Sequence, residues 1–236
     1  MTTYAATVPL DRESTGLQAV LLDMDGTLVD TEDLWWEAER SLLAELGHEL
    51  DHTDRAAVVG GPMTRVVAHL LAVSGVALTA ERFSTMINDR FTEMIAHGVP
   101  LRPGAAELLA ELAAEGVPTA LVSAAHRRII DLVLETLGRH HFAFSVAGDE
   151  VERTKPYPDP YLLAAARLGV DPTRCVVIED AAPGVRSAEA AGCRVLAVPS
   201  VAPIEAAPGR TVRESLEGVG VALLRGLVPA ADGASR

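Results

Sequence analysis

The sequence is poor in lysine. Of its 20 basic side chains 19 are arginines, and Lys155 is the single lysine in 236 residues. Lysine and arginine are not interchangeable. A chain that uses arginine for generic positive charge marks Lys155 as a place where a compact ammonium is required. Positive charge as a whole is in deficit: 33 Asp plus Glu leave a net charge of −13. Such a chain repels nucleic acid and anionic membranes at long range, so neither is expected as a partner. Cysteine is scarce. Cys175 and Cys193 fall in or beside strand-like runs and read as buried, reduced thiols rather than a disulfide or metal pair. No apolar run approaches the roughly 18 residues that span a bilayer. The N-terminus has no basic segment followed by an apolar one, so no secretory signal is visible and a cytoplasmic location is expected. Internal repeats and low-complexity segments are also missing.

What is present is an ordinary globular composition, 49% hydrophobic and 22% charged, long enough for one large α/β domain or a core with a small insertion. Strand-like runs occur at 19–23, 119–124, 144–148, 175–180 and 194–199. Helical patterns separate the later ones, several ending in glycine: 102–116, 126–138, 158–169 and 181–192. Strands alternating with helices imply a parallel sheet covered on both faces, with ligands at the carboxyl ends of its strands. The first strand is followed by about 75 residues of helical pattern, far more than a crossover needs. Apolar stripes run through 34, 38, 42 and 46, through 63, 66, 67, 70 and 71, and through 83, 86, 87, 91, 94 and 95. The expected fold is therefore α/β: a Rossmann-like, three-layer, parallel-sheet core (17–30 plus 99–229) with an inserted small α-helical cap domain (31–98) placed to act as a lid. Residues 1–16 and 230–236 are expected to be loose ends.

The polar residues at the strand ends are the candidate chemistry. The first strand runs straight into VLLDMDGTLVDTE, with Asp23 and Asp25 two apart and Gly26-Thr27 behind them. Buried carboxylates are costly unless something positive or hydrogen-bonding meets them. Ser123 lies near the end of the second strand, Lys155 in the loop after the third, and Glu179-Asp180 at the end of the fourth. A parallel sheet brings these ends to one edge, where Lys155 and a divalent cation shared with Asp180 can meet Asp23. A hard cation with oxygen ligands, Mg²⁺, fits this set. Zn²⁺ does not, because the seven histidines show no ligand spacing and none stands beside these acids.

Asp23-x-Asp25-Gly26-Thr27, Ser123, Lys155-Pro156 and Glu179-Asp180, in this order, resemble the four motifs of the haloacid dehalogenase superfamily. The helical insertion after the first motif resembles its type-1 capped branch, which includes β-phosphoglucomutase, phosphoglycolate phosphatase and sugar-phosphate phosphatases. The likeness runs from about Ala19 to Ser200. It implies that Asp23 attacks phosphorus and forms an aspartyl-phosphate. Asp25 would protonate the leaving oxygen and later deprotonate the hydrolytic water. Asp23, the Asp25 carbonyl, Asp180 and Glu179 would surround Mg²⁺. Ser123 with backbone N–H groups beside it, at Ala124, would bind phosphoryl oxygens, and Lys155 would hold Asp23. Gly26 permits the tight turn and Thr27 hydrogen-bonds within it. Trp35 and Arg65 are candidate substrate contacts from the lid. The bland alternatives are lid packing for Trp35 and its neighbour Trp36, a solvated helix position for Arg65, and a surface acid for Glu179.

An acid two residues after the nucleophile separates phosphoryl-transfer members from dehalogenases. β-Phosphoglucomutases carry a lid histidine and a lid lysine. Here Trp35 stands in place of the histidine, and the lid has no lysine. The resemblance thus implies a Mg²⁺-dependent phosphatase of a small phosphorylated metabolite, a sugar or polyol phosphate. A phosphomutase and a catalytically idle binding protein are the alternatives. A monomer or weak homodimer is expected.

Overall fold

The computed structural model describes residues 16–59, 61 and 63–229. The expected loose ends, but for Gly16, lie outside the described residues, as do Gly60 and Pro62. Six strands form one parallel sheet: β1 (Ala19–Leu22), β2 (Thr119–Val122), β3 (Phe144–Val146), β4 (Cys175–Glu179), β5 (Arg194–Ala197) and β6 (Arg210–Val212), in the order β3-β2-β1-β4-β5-β6. β1 is central, with Leu21 beside Ala120 of β2 on one flank and Val177 of β4 on the other. β1, β2 and β4 are fully buried. That is why they read as continuous apolar runs rather than as alternating strands. β6, a half-buried three-residue edge, has no such run, and the sequence reading had no sixth strand.

Four helices lie between β1 and the first core helix: α1 (Glu32–Glu45), α2 (His52–Val58), α3 (Met63–Ser74) and α4 (Ala80–Ile95). Their apolar faces close on a cluster of their own, including Leu43, Leu70, Phe83 and Ile87. Trp35 of α1 stacks on Phe91 of α4 at 3.6 Å between ring centroids. α2 is too short for an apolar stripe and buries only Val58. It is set by Asp51, which caps the backbone N–H groups of Thr53 and Asp54 while Asp54 returns a bond to the Asp51 N–H. The remaining helices, α5 (Ala105–Ala114), α6 (Arg127–Leu137), α7 (Asp159–Leu168), α8 (Ala182–Ala190) and α9 (Val221–Leu227), cover the sheet. Two apolar clusters fill the spaces on its two faces, one under α5, α6 and α9, the other under α7 and α8. Cys175 and Cys193 are buried and free. Among the described residues no helix is long and apolar enough to cross a membrane.

Candidate active site

The carboxyl ends of β1, β2 and β4 open into a cavity of about 240 Å³ roofed by α1 to α4. β1 delivers Asp23, whose backbone N–H still donates to the Ile178 carbonyl at 3.1 Å. The chain then turns sharply: Leu28 N–H returns to Met24 O and Gly26 N–H donates to Val29 O. Gly26 has φ +76°, and a Cβ there would lie 2.1 Å from the Asp180 carboxylate. The glycine is therefore needed for both conformation and proximity.

Lys155 reaches this point from the loop before α7. Its buried ammonium donates to Asp23 Oδ1 at 2.6 Å, to Glu179 Oε1 at 2.7 Å and to the Val122 carbonyl at 2.9 Å. Three donors meet three acceptors, so the ammonium is saturated. Burial pulls its proton affinity down, but Asp23 and Glu179 outweigh that and raise it. A guanidinium could not fit three convergent acceptors around one nitrogen in this way. The other Asp23 oxygen accepts from the Thr27 hydroxyl at 2.8 Å.

Asp25 has different company. Its Oδ1 accepts from Thr31 at 2.7 Å and from the Trp35 indole at 3.4 Å, and its Oδ2 from Ser123 at 3.4 Å. All three donors are uncharged. Burial, with the Asp23 charge adding to it, pushes the Asp25 carboxyl up, against the pull of Thr31. Two carboxyls two residues apart are thus held in environments that distinguish them.

Asp23, Glu179 and Asp180 offer carboxylate oxygens all within 4.8 Å of one another. Burial and then Asp23 raise the carboxyls of Glu179 and Asp180. Glu179 is engaged on both oxygens. Oε1 accepts from Lys155 and from Tyr161 at 2.8 Å, and Oε2 from the backbone N–H groups of Asp180 and Ala181. Gly184 makes room for it, since a Cβ there would sit 1.6 Å from Oε1. The Asp180 side chain has one hydrogen-bond partner among the described residues, the Ser200 hydroxyl. Three buried acids crowded together, with Asp180 left a single partner and all offering oxygen, fit a hard divalent cation.

The structure brings Asp23, Asp25, Trp35, Ser123, Ala124, Lys155, Glu179 and Asp180 around this one cavity. Gly26 and Thr27 support it from behind. Arg65 is exposed on α3 and outside the cavity lining, with its guanidinium against Gly61. Three participants escaped the sequence reading: Tyr161, Ser200 and Thr31. Tyr161 lies six residues beyond Lys155 on the next helix, and Ser200 follows β5. The strand-end logic that found Ser123 reaches Ser200 when applied to the fifth strand.

A family model described as haloacid dehalogenase-like hydrolase matches residues 17–192. The bifunctional riboflavin kinase/FMN phosphatase of Arabidopsis thaliana is 33% identical over 184 residues, 77% of this chain and 48% of that protein. The fructose-1-phosphate phosphatase YqaB of Escherichia coli is 33% identical over 177 residues, 73% of this chain and 92% of that one. The crystal structure of CbbY from Rhodobacter sphaeroides in complex with phosphate superposes with a TM-score of 0.77 at 31% identity, covering 88% of this chain and 99% of that chain. The chain spans between 19% and 63% of the length of several plant relatives. With the matched segment covering most of the chain, and with the four motifs meeting at one sheet edge, the protein belongs to the haloacid dehalogenase-like hydrolases.

Proposed function

We propose that this hydrolase is a Mg²⁺-dependent phosphatase of a small sugar or polyol phosphate. The observation that carries the reading is the unequal treatment of two neighbouring carboxyls. Asp23 touches a saturated buried ammonium and is aimed by Thr27, whereas Asp25 meets only neutral donors and is held up in proton affinity by burial. That is the division of labour between a nucleophile and a general acid.

An Asp23 oxygen attacks phosphorus, the bond from phosphorus to the substrate oxygen breaks, and an aspartyl-phosphate forms. Asp25 hands its proton to the departing oxygen. Because Oδ1 is taken by Thr31 at 2.7 Å and by Trp35, whereas Oδ2 has only the long Ser123 contact at 3.4 Å, Oδ2 is the oxygen suited to carry that proton. The ionised Asp25 then takes a proton from water attacking the same phosphorus, which frees phosphate and restores Asp23. Ser123, whose hydroxyl also accepts the Ala125 N–H at 3.0 Å, stands where it can hold a phosphoryl oxygen. Mg²⁺ would be held by Asp23, Asp180 and the Asp25 carbonyl, and would offset charge between carboxylate and phosphoryl group. Glu179, with both oxygens occupied, positions Lys155.

The cavity of about 240 Å³ falls below the roughly 300–1,000 Å³ of drug-sized ligand sites, which favours a small sugar or polyol ester over a nucleotide. Similarity to fructose-1-phosphate and hexitol phosphatases of Escherichia coli supports the same class. The test is phosphate release from a panel of sugar, polyol, glycolate and nucleotide monophosphates, with Mg²⁺ or chelator, beside Asp23→Asn. Release that requires both Mg²⁺ and Asp23 is expected. Isomer exchange outpacing release would move the assignment to a phosphomutase. Neither reaction, in folded protein, would leave a binding protein.

A further inference from the structure

The roof of the cavity is largely apolar, built from Trp36, Val58, Val59, Met63 and Val66. Two buried polar residues interrupt it: Glu39 on α1, 4% exposed, and Asn88 on α4, 3% exposed. The Asn88 amide nitrogen is spent on the Ser84 carbonyl and hydroxyl at 2.8 and 3.3 Å, and its Oδ1 receives no hydrogen bond among the described residues. Glu39 makes no hydrogen bond or ion pair among the described residues. A buried carboxyl without a partner is costly, and an aliphatic side chain would pack better on an apolar wall. Its presence calls for a partner that arrives in the cavity.

The charges around the cavity limit what that partner is. Among the described lining residues stand six acids, Asp23, Asp25, Glu32, Glu39, Glu179 and Asp180. The one permanent cation is Lys155, already saturated. His126 faces Asp149 at 3.4 Å and is half exposed. A second phosphate or a carboxylate on the substrate would therefore enter a lining in which acids outnumber cations. Burial, with Glu32 adding to it, raises the Glu39 carboxyl to about 8. At neutral pH it is a protonated acid that can both donate and accept, which suits a hydroxyl.

We propose that Glu39 is the specificity residue of this cavity: with Asn88 it binds hydroxyl groups of a neutral sugar or polyol leaving group, and the acidic lining turns away substrates that carry a second anion. The inference rests on the phosphatase reading and goes beyond it by naming the residue and the charge of the leaving group.

The test compares kcat/KM for a hexitol monophosphate, glycerol 3-phosphate, phosphoglycolate, a hexose bisphosphate and the featureless p-nitrophenyl phosphate, in wild type, Glu39→Gln and Glu39→Leu. Wild type should prefer the neutral polyol esters to phosphoglycolate and to the bisphosphate by at least about tenfold. Removing the hydrogen-bonding group should lower the ratio of polyol ester to p-nitrophenyl phosphate by at least about tenfold in Glu39→Leu. Glu39→Gln, which keeps a donor and an acceptor, should hold that ratio within about threefold. Glu39→Met carries the same comparison if the leucine variant does not fold. A wild type that prefers phosphoglycolate or the bisphosphate overturns the proposal. So does a leucine variant that loses polyol ester and aryl ester equally. A wild type inert on every ester, p-nitrophenyl phosphate included, overturns the phosphatase reading and the specificity proposal with it.

Discussion

Glu39 also makes a prediction about stability that needs no substrate. In the unfolded chain a glutamate loses its proton near 4.5, whereas in the folded protein burial and Glu32 hold it up to about 8. Between those values the folded state binds a proton that the unfolded state has released, so stability falls as pH rises through this window. The contribution is fully present below about 4.5 and gone above about 8. At about 1.36 kcal/mol per pH unit, the whole gap corresponds to about 5 kcal/mol, and the part above pH 6 to about 3 kcal/mol. Glu39→Gln cannot titrate and lacks this slope. The charged group facing Glu39 is Glu32 on the same helix. From α3 and α4 the cavity is faced by the uncharged Met63, Val66 and Asn88. Asp25, Glu179 and Asp180 also have raised carboxyls, but they are common to both proteins and cancel in the difference. The assay is thermal unfolding of wild type and Glu39→Gln at pH 6 and pH 9 with chelator present. For a chain of this size, about 3 kcal/mol amounts to roughly 6–12 °C. The variant should therefore gain that much on wild type between the two pH values. Parallel curves would refute the reasoning, because they would mean that Glu39 ionises in the folded state as easily as in water.

Lys155→Met should cost about 3–5 kcal/mol in unfolding experiments, because Asp23 and Glu179 are left buried without their cation; an unchanged midpoint would contradict the geometry. Gly184→Ala should displace Glu179 from Lys155, lose about 1–3 kcal/mol and lower kcat at least about tenfold through the disturbed ammonium, read by chemical unfolding and phosphate release. Gly226→Ala, in α9 where a Cβ meets nothing within 4 Å, should instead raise stability by about 0.5–1 kcal/mol without affecting the site.

The core was legible because its strands are buried on both faces. A run such as AVLL admits one reading when glycine-ended helical patterns separate it from the next. The strand-end carboxylates were legible for a related reason. Asp23 and the Glu179-Asp180 pair interrupt apolar runs where nothing but chemistry explains the cost. The residues that hold these acids were not. Tyr161 is an aromatic in a helix, and no pattern in one sequence distinguishes a core tyrosine from one whose hydroxyl meets Glu179. α2 and β6 escaped because each is too short to show a period, although Asp51-x-x-Asp54 carries the capping signature of the former.

α1 shows most clearly what periodicity hides. The stripe at 34, 38, 42 and 46 is the face a search for burial finds, and Ala38 and Leu42 are indeed buried. Glu32, Trp35, Trp36 and Glu39 follow the same helical spacing, at i, i+3, i+4 and i+7. They form a second face, and all four line the cavity. A mixed stripe of acids and tryptophans reads as a solvated flank, because polar residues on a helix ordinarily mark its outer side. It is covered here, Glu39 fully and the other three in part, because the opposite wall is the sheet edge that carries Asp23 and Asp25, and only tertiary structure supplies that wall. The indole of Trp35 then serves both surfaces, stacking on Phe91 in the roof while its N–H reaches Asp25. The helix that roofs the cavity is thus tied directly to the proposed general acid. A substitution at Trp35 is therefore expected to disturb the Asp25 hydrogen bond as well as the stacking on Phe91, whereas one on the 34–38–42 face acts through packing.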